Sequence, residues 1–190
     1  MHKLYSMGFG SFFEEQLSGD GAIPARIAGE QKRGYGVWHS GGQSFARLAG
    51  RLTRDLEDEA YPGVGDWVTL KSIPEPGHVA MIDSILARRT VFTRGAPGGQ
   101  GRRQVIAANV DIVFIVTGLD ANYNVRRIQR YLARVRASGA LPIIILTKAD
   151  VCDDVGNLVA EVQHVSPGVE VLATSVVTGR GMERLSLIHI

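Results

Sequence analysis

The sequence has a single cysteine, Cys152, among its 190 residues. This scarcity excludes an internal disulfide and a cysteine-rich metal cluster in the chain, and it is typical of proteins from a reducing compartment. The sequence also lacks any run near the roughly 18 apolar residues of a membrane helix, and it lacks an N-terminal signal segment. We therefore expect a cytoplasmic protein with no membrane partner and no metal site within this chain.

The sequence also lacks a strong excess of positive or negative charge, since the formal net charge is only +2. This value alone does not indicate nucleic-acid binding. The basic residues are unevenly distributed, because five arginines and no acid lie between positions 88 and 103. A flexible basic segment of this kind can follow a phosphate backbone. A solvated linker has the same composition, so both interpretations stay open.

The hydrophobic content of 45% suits a globular protein of one large or two small domains. In residues 1–20, apolar side chains from Tyr5 to Leu17 recur near helical spacing, which predicts a short helix. Residues 21–94 contain five alternating runs that predict a small closed antiparallel β-barrel of OB type, although an SH3-like barrel fits the same pattern. The runs are residues 25–28, 35–39, 44–48, 66–70 and 79–82.

The second half, residues 109–185, follows a basic Gly/Arg-rich linker at 95–108 and alternates strands with helices. This order predicts right-handed βαβ units in an α/β parallel sheet. Parallel sheets bind ligands beyond the carboxyl ends of their strands, so the candidate loops follow Val116, Leu146 and Leu172. The strand patterns are residues 111–116, 143–146 and 169–172, and the helical patterns are residues 125–137 and 158–165.

The loop after Leu146 reads Thr147-Lys148-Ala149-Asp150. Guanine presents two adjacent donors, N1–H and the exocyclic amine, and one carboxylate can accept both hydrogen bonds, whereas adenine lacks this pair. We assign that contact to Asp150, while the methylene stem of Lys148 can lie along the base and sugar. A Thr-Lys-x-Asp run alone also fits a charged turn that caps the next helix.

The loop after Leu172 makes the guanine interpretation more specific. It contains Ser175-Val176, followed by Gly179 and Gly181. In guanine-nucleotide proteins the neighbouring strand-end loop carries a serine and a small residue, and a backbone N–H donates to the guanine O6. The predicted guanine site therefore consists of Thr147, Lys148, Asp150, Ser175 and Val176.

The barrel supplies candidate RNA contacts, since OB-type faces bind single strands through aromatic rings and basic grooves. Tyr35 and Trp38 fit stacking or barrel core equally, whereas Trp67 is expected in the core and His39 at the surface. The candidate phosphate contacts are Arg26, Arg33, Arg47, Arg51, Arg88, Arg89, Arg94, Arg102 and Arg103.

From about Ala25 to Leu185 the chain resembles the RsgA family of small-ribosomal-subunit biogenesis GTPases. In that family the guanine loops precede the phosphate-binding loop, so the G domain is circularly permuted. The order found here agrees, because no Gly-x-x-x-x-Gly-Lys-Ser/Thr run precedes the guanine loops. The matching segments are Gly65-Asp66-Trp67-Val68, residues 88–94, residues 104–111 and the two guanine loops.

The resemblance implies binding of GTP and GDP, Mg²⁺-assisted GTP hydrolysis and a C-terminal zinc module. It also implies the small (30S) ribosomal subunit and its 16S rRNA as partners. The sequence departs from the family pattern at Thr147, where asparagine is commoner, and at Val176, where alanine is usual. No phosphate-binding loop occurs before Ile190, and residues 186–190 fit no family segment, which suggests an artificial or frameshifted tail.

These departures lead to expectations for the 190-residue chain. We expect no catalytic residue and no GTP hydrolysis, weak guanine-nucleotide binding at most, and self-association through an exposed sheet edge. Two other function classes fit parts of the pattern. A non-enzymatic RNA- or ribosome-binding adaptor would use the α/β half as a scaffold. A dinucleotide-binding oxidoreductase would also use βαβ units, but no Gly-x-Gly-x-x-Gly run follows any predicted strand.

Overall fold

The computed structural model describes residues 2–18, 21–55, 60–73, 75, 77–95 and 103–188. The chain divides into two compact units, Met1–Val110 and Asp111–Ile190. The longest of the described helices has 14 residues, and none of them is long and apolar enough to cross a membrane.

The N-terminal segment forms two short helices, α1 (His2–Tyr5) and α2 (Ser11–Glu14), so the prediction of one helix from Tyr5 to Leu17 was wrong. Gly8 lies between them with φ +88°, a left-handed conformation that ends the first helix. The apolar residues of this segment still form part of the core, because Phe9 and Phe13 are buried against Trp67. Trp67 is 1% exposed, which confirms its expected place in the core.

Five strands close into the predicted barrel in the order β1-β2-β3-β5-β4. The pairing of β3 with β5 is parallel and the other pairings are antiparallel, which corrects the expectation of a purely antiparallel barrel. Alternating residues such as Ile27, Val37 and Ile82 fill the interior. The strands are β1 (Ile23–Gln31), β2 (Gly34–His39), β3 (Gly42–Leu48), β4 (Trp67–Leu70) and β5 (Ala80–Ile85), with helix α3 (Gly50–Asp55) between β3 and β4.

A two-stranded antiparallel sheet follows the barrel, formed by β6 (Val91–Gly95) and β7 (Arg103–Ala108). Thus residues 103–108, placed by the sequence in a linker, form a strand, whereas 96–102 lie outside the described residues. After β7, Asn109 adopts a left-handed conformation with φ 55°. Its side chain accepts a hydrogen bond from the Arg89 N–H at 2.9 Å and donates to the Gly65 carbonyl at 3.2 Å.

The second unit contains the predicted parallel sheet, in the order β10-β9-β8. Its central strand is buried on both faces, as the apolar run from Ile143 to Leu146 predicts. Helix α4 begins at the capping side chain of Asn124 and ends at Gly139, whose φ is 85°. The elements are β8 (Ile112–Gly118), α4 (Val125–Ser138), β9 (Leu141–Thr147), α5 (Val155–Val165), β10 (Glu170–Ala173) and α6 (Met182–Leu187).

The last described residues pack on this sheet. Leu185 and Ile188 lie against the cluster of Ile143, Ile145 and Leu172. Ser186 and Leu187, which the sequence assigned to the unmatched tail, belong to α6. Residues 189 and 190 of that tail lie outside the described part of the chain.

Candidate functional site

The two predicted guanine loops lie side by side at the carboxyl ends of β9 and β10. The Thr174 N–H donates to the Leu146 carbonyl at 2.8 Å, and the Ala149 N–H donates to the Thr174 carbonyl at 3.0 Å. These hydrogen bonds continue the parallel pairing of the strands into their loops. The loop after β9 and the loop after β10 are therefore held together by their own backbones.

The side chains of Asp150 and Ser175 meet between these loops. The Ser175 hydroxyl donates to Asp150 Oδ1 at 2.5 Å, and it accepts a hydrogen bond from the Thr178 N–H at 3.2 Å. Ser175 is buried, whereas Asp150 is exposed. A buried hydroxyl that both donates and accepts a hydrogen bond is fixed in direction, so it holds the exposed carboxylate of Asp150 in one orientation.

Lys148 occupies a left-handed turn, with φ 59°, immediately before a short 3₁₀ helix at Ala149–Val151. Its Nζ lies 2.6 Å from Asp120 Oδ2, and the other oxygen of Asp120 accepts the Asn122 N–H at 2.9 Å. The hydrogen bond from Lys148 lowers the pKa of Asp120, and the same contact raises the pKa of Lys148. The pair favours the charged form of the lysine and holds its ammonium group beside the loop after β8.

Asp120 is the residue of this site that the sequence reasoning missed. It follows β8, in the first of the three loops singled out as candidate ligand-binding loops, but no motif marked it. Its position at the carboxyl end of the strand next to β9 is the signal that could have identified it. Gly118 lies against this carboxylate, since a Cβ there would be 3.0 Å from Asp120 Oδ1.

Thr147 forms hydrogen bonds that connect the loop after β9 to strand β8 and to the turn that follows β8. Its hydroxyl donates to the Thr117 carbonyl at 3.3 Å, and its carbonyl accepts the Leu119 N–H at 2.8 Å. Thr147 therefore braces the neighbouring loop. Its contact with the nucleotide stays a prediction.

Val176 extends from the loop after β10 and is 85% exposed. The Ser175 N–H is already engaged, because it donates to the Arg180 carbonyl at 3.0 Å. Gly181 closes the loop with φ 70°, and a Cβ there would lie 2.5 Å from the Ala173 carbonyl oxygen, so this position requires glycine. Among the described residues, no group of three or more histidine, cysteine, aspartate or glutamate side chains could hold a metal ion.

Two of the predicted RNA-binding arginines make contacts inside the first unit. The guanidinium of Arg26 donates to the carbonyls of Met7, Gly65 and Asn109 and lies over the Trp67 ring. Arg88 forms two hydrogen bonds of 2.8 Å with the fully buried carboxylate of Asp66. These contacts give Arg26 and Arg88 a structural role in the fold.

The other predicted RNA contacts differ in accessibility. Trp38 is 38% exposed, whereas Tyr35 is half-buried, and burial is the main cause that raises its pKa to about 12. His39 is 3% exposed, so its expected place at the surface was wrong. Arg51 pairs with Asp83 at 2.7 Å. The remaining exposed candidates are Arg33, Arg47, Arg89 and Arg94, while Arg102 and the side chain of Arg103 lie outside the described part of the chain.

Comparison with known proteins gives consistent findings. The family model of the RsgA GTPase matches residues 85–188. The chain is 38% identical to the small ribosomal subunit biogenesis GTPase RsgA of Opitutus terrae, covering 96% of this chain and 53% of that protein. It is 41% identical to the RsgA 2 protein of Lactiplantibacillus plantarum, covering 87% and 47%. The chain thus spans about half the length of these curated relatives.

Solved structures share the fold. YjeQ from Thermotoga maritima matches with a TM-score of 0.68 and 20% identity, covering 88% of this chain and 56% of that one. YloQ, described as a circularly permuted GTPase, matches with a TM-score of 0.64 and 20% identity, covering 88% and 55%. The barrel followed by a permuted α/β unit is therefore an architecture already seen in crystals.

Proposed function

Because the chain belongs to the RsgA GTPase family, we propose that it recognises guanine nucleotides through the loops after β9 and β10. The observation that carries this proposal is the hydrogen bond from Ser175 to Asp150, which orients a solvent-facing carboxylate at the carboxyl edge of a parallel sheet. The guanine N1–H and exocyclic amine would both donate to Asp150. Adenine offers no such pair and would leave the desolvated carboxylate unsatisfied, a difference that can reach roughly 10⁴-fold in affinity.

Two further contacts support guanine over other bases. The Lys148 stem, directed by the ion pair with Asp120, would lie along one face of the base. The N–H of Val176 would donate to the guanine O6, because the neighbouring Ser175 N–H is bonded within the loop. A donor facing O6 rejects adenine, whose amine is itself a donor at that position.

For the whole protein we propose GTP hydrolysis assisted by Mg²⁺, with phosphate-binding residues supplying position and charge. A Gly-x-x-x-x-Gly-Lys-Ser/Thr run is not found among these 190 residues, so no residue here is assigned to the phosphates or to Mg²⁺. The zinc module that the resemblance implies is likewise a proposal for the whole protein.

The proposed partner is the small (30S) ribosomal subunit in the cytoplasm, since the curated relatives carry that subunit in their names. The barrel would contact its 16S rRNA, with Trp38 available for stacking and the exposed arginines Arg33 and Arg47 available for phosphates. Arg89 and Arg94, which follow the barrel in the sequence, are also exposed and are two further candidate phosphate contacts.

An Asp150→Asn substitution tests the base-reading role. Xanthine carries a carbonyl where guanine carries the exocyclic amine, and an asparagine amide can accept from N1–H while donating to that carbonyl. We expect saturation-transfer NMR to show that wild type prefers GMP over XMP and AMP. The variant should lose about 10- to 100-fold in GMP affinity and prefer XMP.

The matched control is Asp153→Asn, which removes an exposed carboxylate from the same loop region and should leave base preference unchanged. Unchanged guanine discrimination in Asp150→Asn, together with a loss of ribosome binding, would instead support the adaptor function with a scaffolding α/β unit.

A further inference from the structure

Helix α4 concentrates the positive charge of the second unit. Residues 111–190 contain eight basic and eight acidic side chains, so this unit is balanced as a whole. Five of those basic side chains are arginines within the 14 residues of α4, and the helix carries no acidic residue. A cationic helix on a unit without net charge creates a local positive potential, which attracts anionic partners to that surface.

Three of these arginines form a line along the solvent face. Ile128, Leu132 and Val135 are the buried apolar residues of α4 and pack toward the sheet. The side opposite this stripe carries Arg126, Arg130 and Arg134, all exposed. They are spaced four residues apart, so each lies about 6 Å further along the helix than the one before. We call these three residues the arginine ridge.

The other two arginines of α4 are used within the unit. Arg127 donates to the Thr117 hydroxyl at 3.3 Å and to the Asn122 carbonyl. Arg136 donates to the Pro167 carbonyl at 3.1 Å. The ridge differs, because its three guanidinium groups form no hydrogen bond or ion pair with any residue that the structure describes.

The surroundings of the ridge fit a phosphate backbone. Ala133 lies between Arg130 and Arg134, and Ala137 follows Arg134 on the same exposed side of the helix. Both side chains are too small to keep a phosphate backbone away from these guanidinium groups. Tyr131 lies beside the ridge with the Arg130 guanidinium 5.7 Å from its ring centre. A protein partner would bury several large apolar or aromatic anchors, whereas Tyr131 is the one exposed side chain of that kind in α4.

We propose that the arginine ridge of α4 binds the phosphate backbone of double-stranded RNA. A straight helix presents its charges in a fixed row, and each arginine fork can bind phosphate oxygens in a bidentate manner. Single strands are bound mainly by stacking on aromatic rings, which suits the barrel better than this helix. The proposal rests on the proposed function and deepens it, since it adds a duplex-binding surface to the α/β unit.

The test measures binding of the 190-residue chain to a fluorescent RNA duplex by anisotropy. The duplex has about 20 base pairs, enough to span successive grooves. In the triple variant Arg126→Gln, Arg130→Gln, Arg134→Gln, affinity at low salt should fall about 10- to 100-fold. Titrations from about 50 to 200 mM NaCl should show a slope of log K against log salt that is smaller by about 2 to 3, because each lost phosphate contact removes nearly one unit.

Two controls accompany the triple variant. Replacing the same three arginines by lysine keeps the charge and should preserve most of the salt slope. Arg184→Gln removes one exposed arginine elsewhere in the unit and should change neither quantity. Thermal unfolding by circular dichroism should change little in all variants, since the ridge arginines face solvent and the ion pair of Arg184 with Glu170 is exposed.

Three outcomes would overturn the proposal. The first is that the triple glutamine variant keeps the salt slope of the wild type, while the double variant Arg33→Gln, Arg47→Gln binds RNA more weakly. This result would show that RNA binds to the barrel alone. The second is equally tight, ridge-dependent binding of a polyglutamate peptide of matched charge, which would indicate an acidic protein partner. The third is a wild-type chain that binds no RNA, which would also refute the RNA part of the proposed function but not the base preference of Asp150.

Discussion

At the scale of single residues, Arg88 shows how burial changes what a charge does. The Asp66 carboxylate is fully buried and accepts three hydrogen bonds of 2.8 Å, two from Arg88 and one from the Gly63 N–H. Arg88 also donates to the Tyr61 carbonyl at 2.8 Å. A carboxylate out of water needs this full set of donors, because an unpaired buried charge costs several kcal/mol.

We therefore predict that Arg88→Met destabilises the first unit by about 3–5 kcal/mol, since it leaves the Asp66 charge buried without its partner. Urea unfolding should show a lower midpoint. The double variant Asp66→Asn, Arg88→Met should recover part of this loss by removing the stranded charge. Arg94→Met, at an exposed position, should change stability by less than about 0.5 kcal/mol. An unchanged midpoint in Arg88→Met would contradict the structural role.

At the scale of helices and strands, periodicity in the sequence was sufficient to predict most of the fold. The run at 35–39 lies within β2 and the run at 143–146 lies within β9. Both were predictable, because alternating apolar residues indicate a half-buried strand and a continuous apolar run indicates a fully buried one. The prediction of a single N-terminal helix was wrong for a local reason, since Gly8 adopts a left-handed conformation that the apolar spacing does not reveal. Strand β7 was missed because the Gly/Arg-rich composition before it led to a predicted linker that extended to residue 108.

The loops were predictable in place but not in detail. Parallel strands fix where Asp150 and Ser175 lie, because the carboxyl ends of neighbouring strands meet at one edge. Their hydrogen bond, and the pairing of Lys148 with Asp120, depend on loop conformation and link positions 25 and 28 residues apart. No periodicity in the sequence encodes contacts of that separation.

Strand β2 contains a buried histidine that should make the barrel sensitive to acid. His39 Nδ1 accepts the Gly41 N–H at 3.1 Å, so the ring proton is on Nε2, which lies 2.8 Å from the Ser44 hydroxyl. Burial lowers the pKa of His39 below its ordinary value of 6.5. As pH falls through that value, the unfolded chain takes up a proton before the folded one does, so stability is lost on the acid side.

The expected result is a wild-type melting temperature that falls between about pH 7 and pH 5 more steeply than that of His39→Gln, which can hydrogen bond but cannot be protonated there. His164→Gln serves as the control, because His164 is exposed on α5 and should leave the pH profile of the wild type unchanged. Identical pH profiles for wild type and His39→Gln would refute this role of burial.

At the scale of the whole molecule, the sheet of the second unit has an edge that can pair with another copy. Strand β8 pairs with β9 on one side, and no other strand in the described part of the chain pairs with it. Val116 and Ile112 on this strand are 58% and 38% exposed. An edge strand with exposed apolar side chains is a ready site for strand addition.

We accordingly expect the 190-residue chain to self-associate through β8 as its concentration rises. Sedimentation velocity over a broad concentration series should show a growing dimer fraction, and Val116→Lys should shift it back toward monomer, because a lysine on an edge strand opposes pairing. Val177→Lys is the matched control: Val177 is 83% exposed but lies in the loop after β10, so its substitution should leave the dimer fraction unchanged. A monomer at every concentration, or equal effects of both lysines, would show that this edge does not drive association.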